Sequence, residues 1–164
     1  MNYLGLNQAK NKATVNQLNK LLADYQLYYQ NLRNFHWNIK GTNFFDLHNQ
    51  FEALYQDARE KIDEIAERIL TLQHRPLSSL SDYLAIGEVE EAGKVSEDRD
   101  MVMIILENHR ILIRDMRDTL KAADSSTDEG TMDMIGGFLS ELEKKSWMLN
   151  AWVKEKENAT AGVA

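Results

Sequence analysis

Helix breakers are almost missing from this chain. Its 164 residues contain one proline, Pro76, and eight glycines. Inside a helix a proline costs about 3 kcal/mol and a glycine about 1 kcal/mol, so their scarcity favours long helices. Apolar residues recur at the i, i+3, i+4, i+7 spacing of one buried helix face in four runs, near Gln8–Trp37, Phe44–Gln73, Ser96–Ala123 and Thr131–Lys156. The first stripe is Leu18, Leu21, Leu22, Tyr25, Tyr29, Leu32 and either Phe35 or His36. The second is Phe51, Leu54, Tyr55, Ala58, Ile62, Ile65 and Ile69. Val102, Ile105, Leu106, His109, Leu112, Ile113, Met116 and Leu120 form the third. Met134, Phe138, Leu142, Leu149 and Trp152 form the fourth.

The connections carry their own signals. "NIKGTN" ends the first run, with Gly41 as a stop and Asn43 as an N-cap. "HRP" closes the second at Pro76. "LSSLSDYLAIGE" is long enough for one or two helical turns, capped by Ser79 or Ser81. The chain is therefore expected to be all-α, a four-helix bundle with a short helix in a long crossover between the second and third helices. Residues 1–164 read as one domain with loose ends near 1–7 and 157–164.

Composition narrows the chemistry. There is no cysteine, which excludes disulfides, thiolate metal sites and thiol catalysis. "MNYLGLNQAKNK" lacks a basic segment followed by an apolar run, and no apolar run is long enough to span a bilayer. The expected location is the cytoplasm, with no membrane partner. The net charge of −7 argues against a general nucleic-acid-binding surface and suits attraction of cations where acids cluster.

The stretch Asn34–Ile69 holds two polar pairs at helical spacing, His48 with Glu52 and Asp63 with Glu67. At about 100° per residue, all four fall within an arc of about 100°, centred about 120° from the core stripe. Along the axis, His48 and Glu67 are about 28 Å apart, whereas metal–ligand bonds are about 2 Å. One ion cannot touch both pairs of one helix. Two copies packed antiparallel about a two-fold axis near Asp57 and Ala58 would set His48 and Glu52 of one against Asp63 and Glu67 of the other. His36 can join the first pair. Two histidines with three carboxylates suit iron, zinc or manganese. Pairs of this kind also occur on solvated helix faces. A di-iron site inside one bundle would show Glu-x-x-His on two helices, and none occurs here.

At these residues the sequence resembles the Dps family, the mini-ferritins. "NFHWNIKGTNFFDLH" followed by "DEIAERIL" matches that family's signature: His-Trp, a second histidine twelve residues on, then D-x-x-x-E. The resemblance extends over the whole chain in helix order. It implies a ferritin-like four-helix bundle assembled into a hollow homo-dodecamer, with di-iron ferroxidase sites at two-fold interfaces. The implied ligands are His36, His48 and Glu52 from one subunit with Asp63 and Glu67 from the other. Glu52 departs from the aspartate more usual in the family. The implied activity is oxidation of Fe(II), commonly by hydrogen peroxide, with storage of ferric mineral and protection of the cell and its DNA from oxidative damage.

The alternative function is a nucleoid-associated protein that coats DNA, which some members do through a lysine-rich tail. Here the first twenty residues carry only Lys10, Lys12 and Lys20, so DNA binding is expected to be weak. For Trp37 the resemblance implies quenching of oxidising equivalents beside the metal, and interface packing is the other reading. "DSSTDEGTMD" reads either as a charged turn that caps the fourth helix or, by the resemblance, as the acidic lining of a three-fold pore with Asp128 and Asp133 receiving Fe(II). His74 and His109 read as structural. Trp147, Trp152, Tyr55 and the methionines of the second half, Met101, Met103, Met116, Met132, Met134 and Met148, read as core.

Overall fold

The computed structural model describes residues 4–161, except for the side chains at 8, 10 and 155–161. These residues form five helices: α1 (Gln8–Asn38), α2 (Phe44–Thr71), α3 (Leu80–Ile86), α4 (Asp98–Ser125) and α5 (Glu129–Ala161). The four long ones make the expected bundle, with α3 in the crossover. α1 packs on α2, α4 and α3, and α4 packs on α5. Leu18, Leu22 and Phe35 of α1 meet Phe51, Leu54 and Ile65 of α2, Val102, Ile105 and Leu112 of α4, and Ile135, Phe138 and Leu142 of α5 in one core. Each such side chain contributes about 1.5–3 kcal/mol on leaving water. No helix among the described residues is long and apolar enough to cross a membrane.

Some expected boundaries and core positions move. α5 begins at Glu129 and continues to Ala161, past the expected Lys156, and residues 162–164 lie outside the described ones. Ile135 joins the core although the apolar pattern passes over it. Trp147 does not: it is 66% exposed, because it lies about 180° around the helix from Phe138. Met103 and Met148 are also exposed, while Met101 and Met116 are buried. His109 is structural as expected. It is buried between the Tyr28 hydroxyl (2.8 Å) and Ser146 Oγ (2.8 Å), and burial holds its pKa down to about 3.

Two helix ends share a motif. After α2, the N–H groups of Gln73 and His74 donate to the carbonyls of Leu70 (2.8 Å) and Ile69 (3.1 Å). After α4, those of Thr127 and Asp128 donate to Asp124 (3.0 Å) and Ala123 (3.0 Å). The left-handed residue in each is not glycine: Gln73 has φ 65° and Thr127 φ 54°. Between α1 and α2 the chain turns at Gly41, φ +97°. Asn43 holds the N-cap position of α2 but makes no side-chain cap bond. Its amide instead donates to Asp98 Oδ2 at 2.6 Å, tying the turn to the start of α4.

The crossover has few backbone partners of its own, and polar side chains of α1 supply them. Ser79 caps α3 through the Asp82 N–H. Asp24 Oδ1 accepts from the N–H of Glu88 (2.6 Å) and Val89 (2.7 Å). Asn31 donates to the Glu90 carbonyl and accepts from the Ala92 N–H, and Asn34 donates to the Gly93 carbonyl. Burial and the neighbouring Asp115 push Asp24 up to about 6, while Lys20 reaches Asp115, Glu88 and Asp24.

Gly87 makes this approach close enough. A Cβ there would lie 2.5 Å from Leu27 Cδ1 and 2.9 Å from the Tyr83 carbonyl oxygen. Gly87→Ala should lower unfolding stability by about 1–3 kcal/mol. Gly136→Ala, inside α5 with nothing within 4 Å, should raise it by up to about 1 kcal/mol. Denaturant midpoints of the two variants check the contrast.

Candidate metal centre

His36 lies in the last turn of α1 and His48 in the second turn of α2, so the Gly41 turn brings them face to face. Their rings stack with centroids 3.8 Å apart and planes 23° apart. Each ring binds the other residue's backbone. His36 Nδ1 donates to the His48 carbonyl at 2.9 Å, and His48 Nδ1 donates to the His36 carbonyl at 2.8 Å. A carbonyl only accepts, so both Nδ1 atoms carry hydrogen. In the neutral rings both Nε2 atoms therefore keep a free lone pair, the form that binds metal. Phe44 stacks on His48 with centroids 4.9 Å apart.

Glu52, one turn beyond His48, brings a half-buried carboxylate to the two imidazoles. One donor atom from each of His36, His48 and Glu52 lies within 4.8 Å of the others. Donors around one ion with bonds of about 2.1 Å lie at most about 4.2 Å apart, so a small closure would seat a cation. Two imidazole nitrogens and one carboxylate suit a first-row divalent ion and leave its remaining positions open.

The other expected residues lie elsewhere. Asp63 and Glu67 are exposed on the same helix, about 16 Å and about 22 Å along the axis from Glu52. Within one protomer they do not join the cluster. Trp37, beside His36, is 60% exposed, and Arg33 lies over its ring at 4.9 Å and over Tyr29 at 5.0 Å. Leu80 and Leu84 of α3, both exposed, line a 290 Å³ groove with Tyr29 and Arg33. Tyr29, in the groove wall, packs edge-on against Tyr55, which meets His36 of the cluster.

The two pore candidates differ. Asp133 is exposed. Asp128 is 1% exposed and fully engaged: Oδ1 accepts from the Thr131 N–H and from Arg68, and Oδ2 accepts from Thr131 Oγ1 at 2.6 Å. Asp128 therefore caps α5 and anchors α2 to it within the protomer. Arg68 is 60 residues away in sequence, so spacing alone does not reveal the pair. Tyr55, read as core, is half-buried with its hydroxyl 3.5 Å from Glu52 Oε1 and its ring edge-on to His36. Its place three residues after Glu52 and seven after His48 was the available signal.

The long-helix bundle is ferritin-like: the ferritin-like domain model matches residues 15–158. The chain is 42% identical to the DNA protection during starvation protein of Porphyromonas gingivalis, over 90% of this chain and 93% of that one. It is 38% identical to DNA protection during starvation protein 2 of Bacillus anthracis, over 88% and 99%. The Dps crystal structure from Vibrio cholerae O1 superposes with TM-score 0.91 at 42% identity, covering 93% of this chain and 96% of that chain. That protein is described as a member of a broad superfamily of ferritin-like diiron-carboxylate proteins. Dps from Bacillus brevis superposes with TM-score 0.86 at 34% identity, over 88% and 97%. The chain belongs to the Dps family of ferritin-like proteins.

Capping by Asp128 has a measurable consequence. Asp128→Ala removes the cap and leaves Arg68 without its carboxylate, and should lower stability by about 2–4 kcal/mol. Asp133→Ala should change it by less than about 0.5 kcal/mol. Thermal or denaturant unfolding of both variants separates a capping acid from a surface one.

Proposed function

We propose that this protein is a ferroxidase and iron store that takes Fe(II) as substrate at sites shared between two subunits. The observation that carries the reading is the His36–His48–Glu52 cluster, with both Nε2 atoms free and, among the described residues, three donors in reach. Such a cluster holds one ferrous ion incompletely. The missing ligands on this reading are Asp63 and Glu67 of the partner subunit, brought in by a two-fold axis across α2. The exposed apolar surface of α1 and α3 beside the cluster supports an interface there.

Hydrogen peroxide is the proposed oxidant. Two ferrous ions each give up one electron, the O–O bond breaks, two protons are taken up and two waters form. A lone Fe(II) supplies one electron and releases hydroxyl radical, so pairing the ions is the protective step. Carboxylates balance the higher charge of Fe(III), and the neutral imidazoles help retain Fe(II). The ferric product is stored as mineral inside a hollow dodecamer. Asp133, which is exposed, and Asp128, which caps α5, are the candidate acids of an iron inlet to that shell. Protection of DNA, the property named for the P. gingivalis and B. anthracis relatives, is chemical on this reading, because a net charge of −7 opposes coating of a polyanion.

Anaerobic loading with Fe(II), followed by peroxide, tests the activity through ferric absorbance. The expected result is rapid oxidation at two irons per peroxide, falling to the protein-free rate in the Asp63→Ala, Glu67→Ala variant. Oxidation at the protein-free rate in the unmodified protein would refute the reading.

A further inference from the structure

We propose that Tyr55 is a positioning residue for the Glu52 carboxylate, a role that rests on the metal-centre reading above. His48, Glu52 and Tyr55 follow one another at i, i+4 and i+7 on one face of α2. The Tyr55 hydroxyl faces Glu52 Oε1 at 3.5 Å. Its ring is held by α1 on two sides. It meets His36 edge-on at 5.2 Å and 80°, and Tyr29 edge-on at 6.0 Å and 77°. The Arg33 guanidinium covers Tyr29 in turn. The phenol is thereby aimed from the wall that carries His36.

The chemistry of the contact fits a metal ligand. A glutamate side chain has three torsions and, unheld, samples many positions away from the imidazoles. A lysine or arginine would fix it but would cancel the charge a cation needs, and among the described residues none pairs with it. A neutral phenol donates one hydrogen bond to Oε1, leaves the carboxylate charge intact and leaves Oε2 for the ion. The long 3.5 Å separation gives the carboxylate room to swing inward as the cluster closes on a cation. Tyr55→Phe removes the hydroxyl and keeps both ring contacts.

Cobalt(II) binding to the assembled protein, followed by its visible absorption, reads the site without turnover. Tyr55→Phe should weaken cobalt binding about tenfold, as loss of a ligand-orienting partner typically does. In a Glu52→Ala background the same substitution should change affinity by less than about twofold, because Tyr55 then has nothing to orient. Cobalt affinity of Tyr55→Phe equal to the unmodified protein overturns the proposal. So does an equal loss with and without Glu52, which would assign the effect to packing against His36. Failure of the unmodified protein to bind cobalt at all overturns the metal-centre reading itself and this proposal with it.

Discussion

Two hydrogen bonds exchanged between His36 and His48 join the end of α1 to the start of α2, and the candidate site depends on them. The His36 carbonyl lies in the last turn of α1, where carbonyls lack an intrahelical partner, and His48 Nδ1–H fills that vacancy. The His48 carbonyl is inside α2, and its second lone pair accepts the hydrogen bond from His36 Nδ1–H. The exchange fixes both ring planes and both tautomers at once. It also makes the two Nε2 atoms better donors, since an Nδ1–H bonded to a carbonyl enriches the rest of the ring. The candidate donor atoms are therefore organised by the protein's own hydrogen bonds.

A second constraint comes from helix geometry. A rise of about 1.5 Å per residue keeps Asp63 and Glu67 far from Glu52 on a straight α2, whatever the side chains do. A complete five-ligand site cannot form within one bundle of this kind. Trp37 of α1 and Leu80 and Leu84 of α3 are exposed, with Arg33 between the Trp37 ring and the groove that the two leucines line. The crossover is held along α1 by Asp24, Asn31 and Asn34, so α3 and its apolar residues are placed by the helix whose last turn carries His36.

Most of the architecture was legible because it rests on local periodicity. Four apolar stripes, Gly41 and Pro76 locate the long helices; i, i+4 spacing pairs His48 with Glu52, and the Gly41 turn brings His36 to them. What the sequence hides is decided by partners far along the chain. Asp128 looks like a surface acid until Arg68 and Thr131 close around it. Asn43 looks like a cap until Asp98 takes its amide. Tyr55 continues an apolar stripe, and only packing on Tyr29 and His36 turns its hydroxyl toward Glu52. Trp147 was misread for a simpler reason, since hydrophobicity was weighed without its phase on α5.

The most direct test of a site shared between subunits is complementation in mixed assemblies. One chain carries His36→Ala and His48→Ala, the other Asp63→Ala and Glu67→Ala, and the two are co-expressed in equal amounts. Each alone should lack peroxide-dependent Fe(II) oxidation. In the mixture, half the two-fold pairs are mixed and each contains one intact site, so about a quarter of the activity should return. No recovery in mixtures shown to contain both chains would contradict the account, as would full activity of the Asp63→Ala, Glu67→Ala chain by itself.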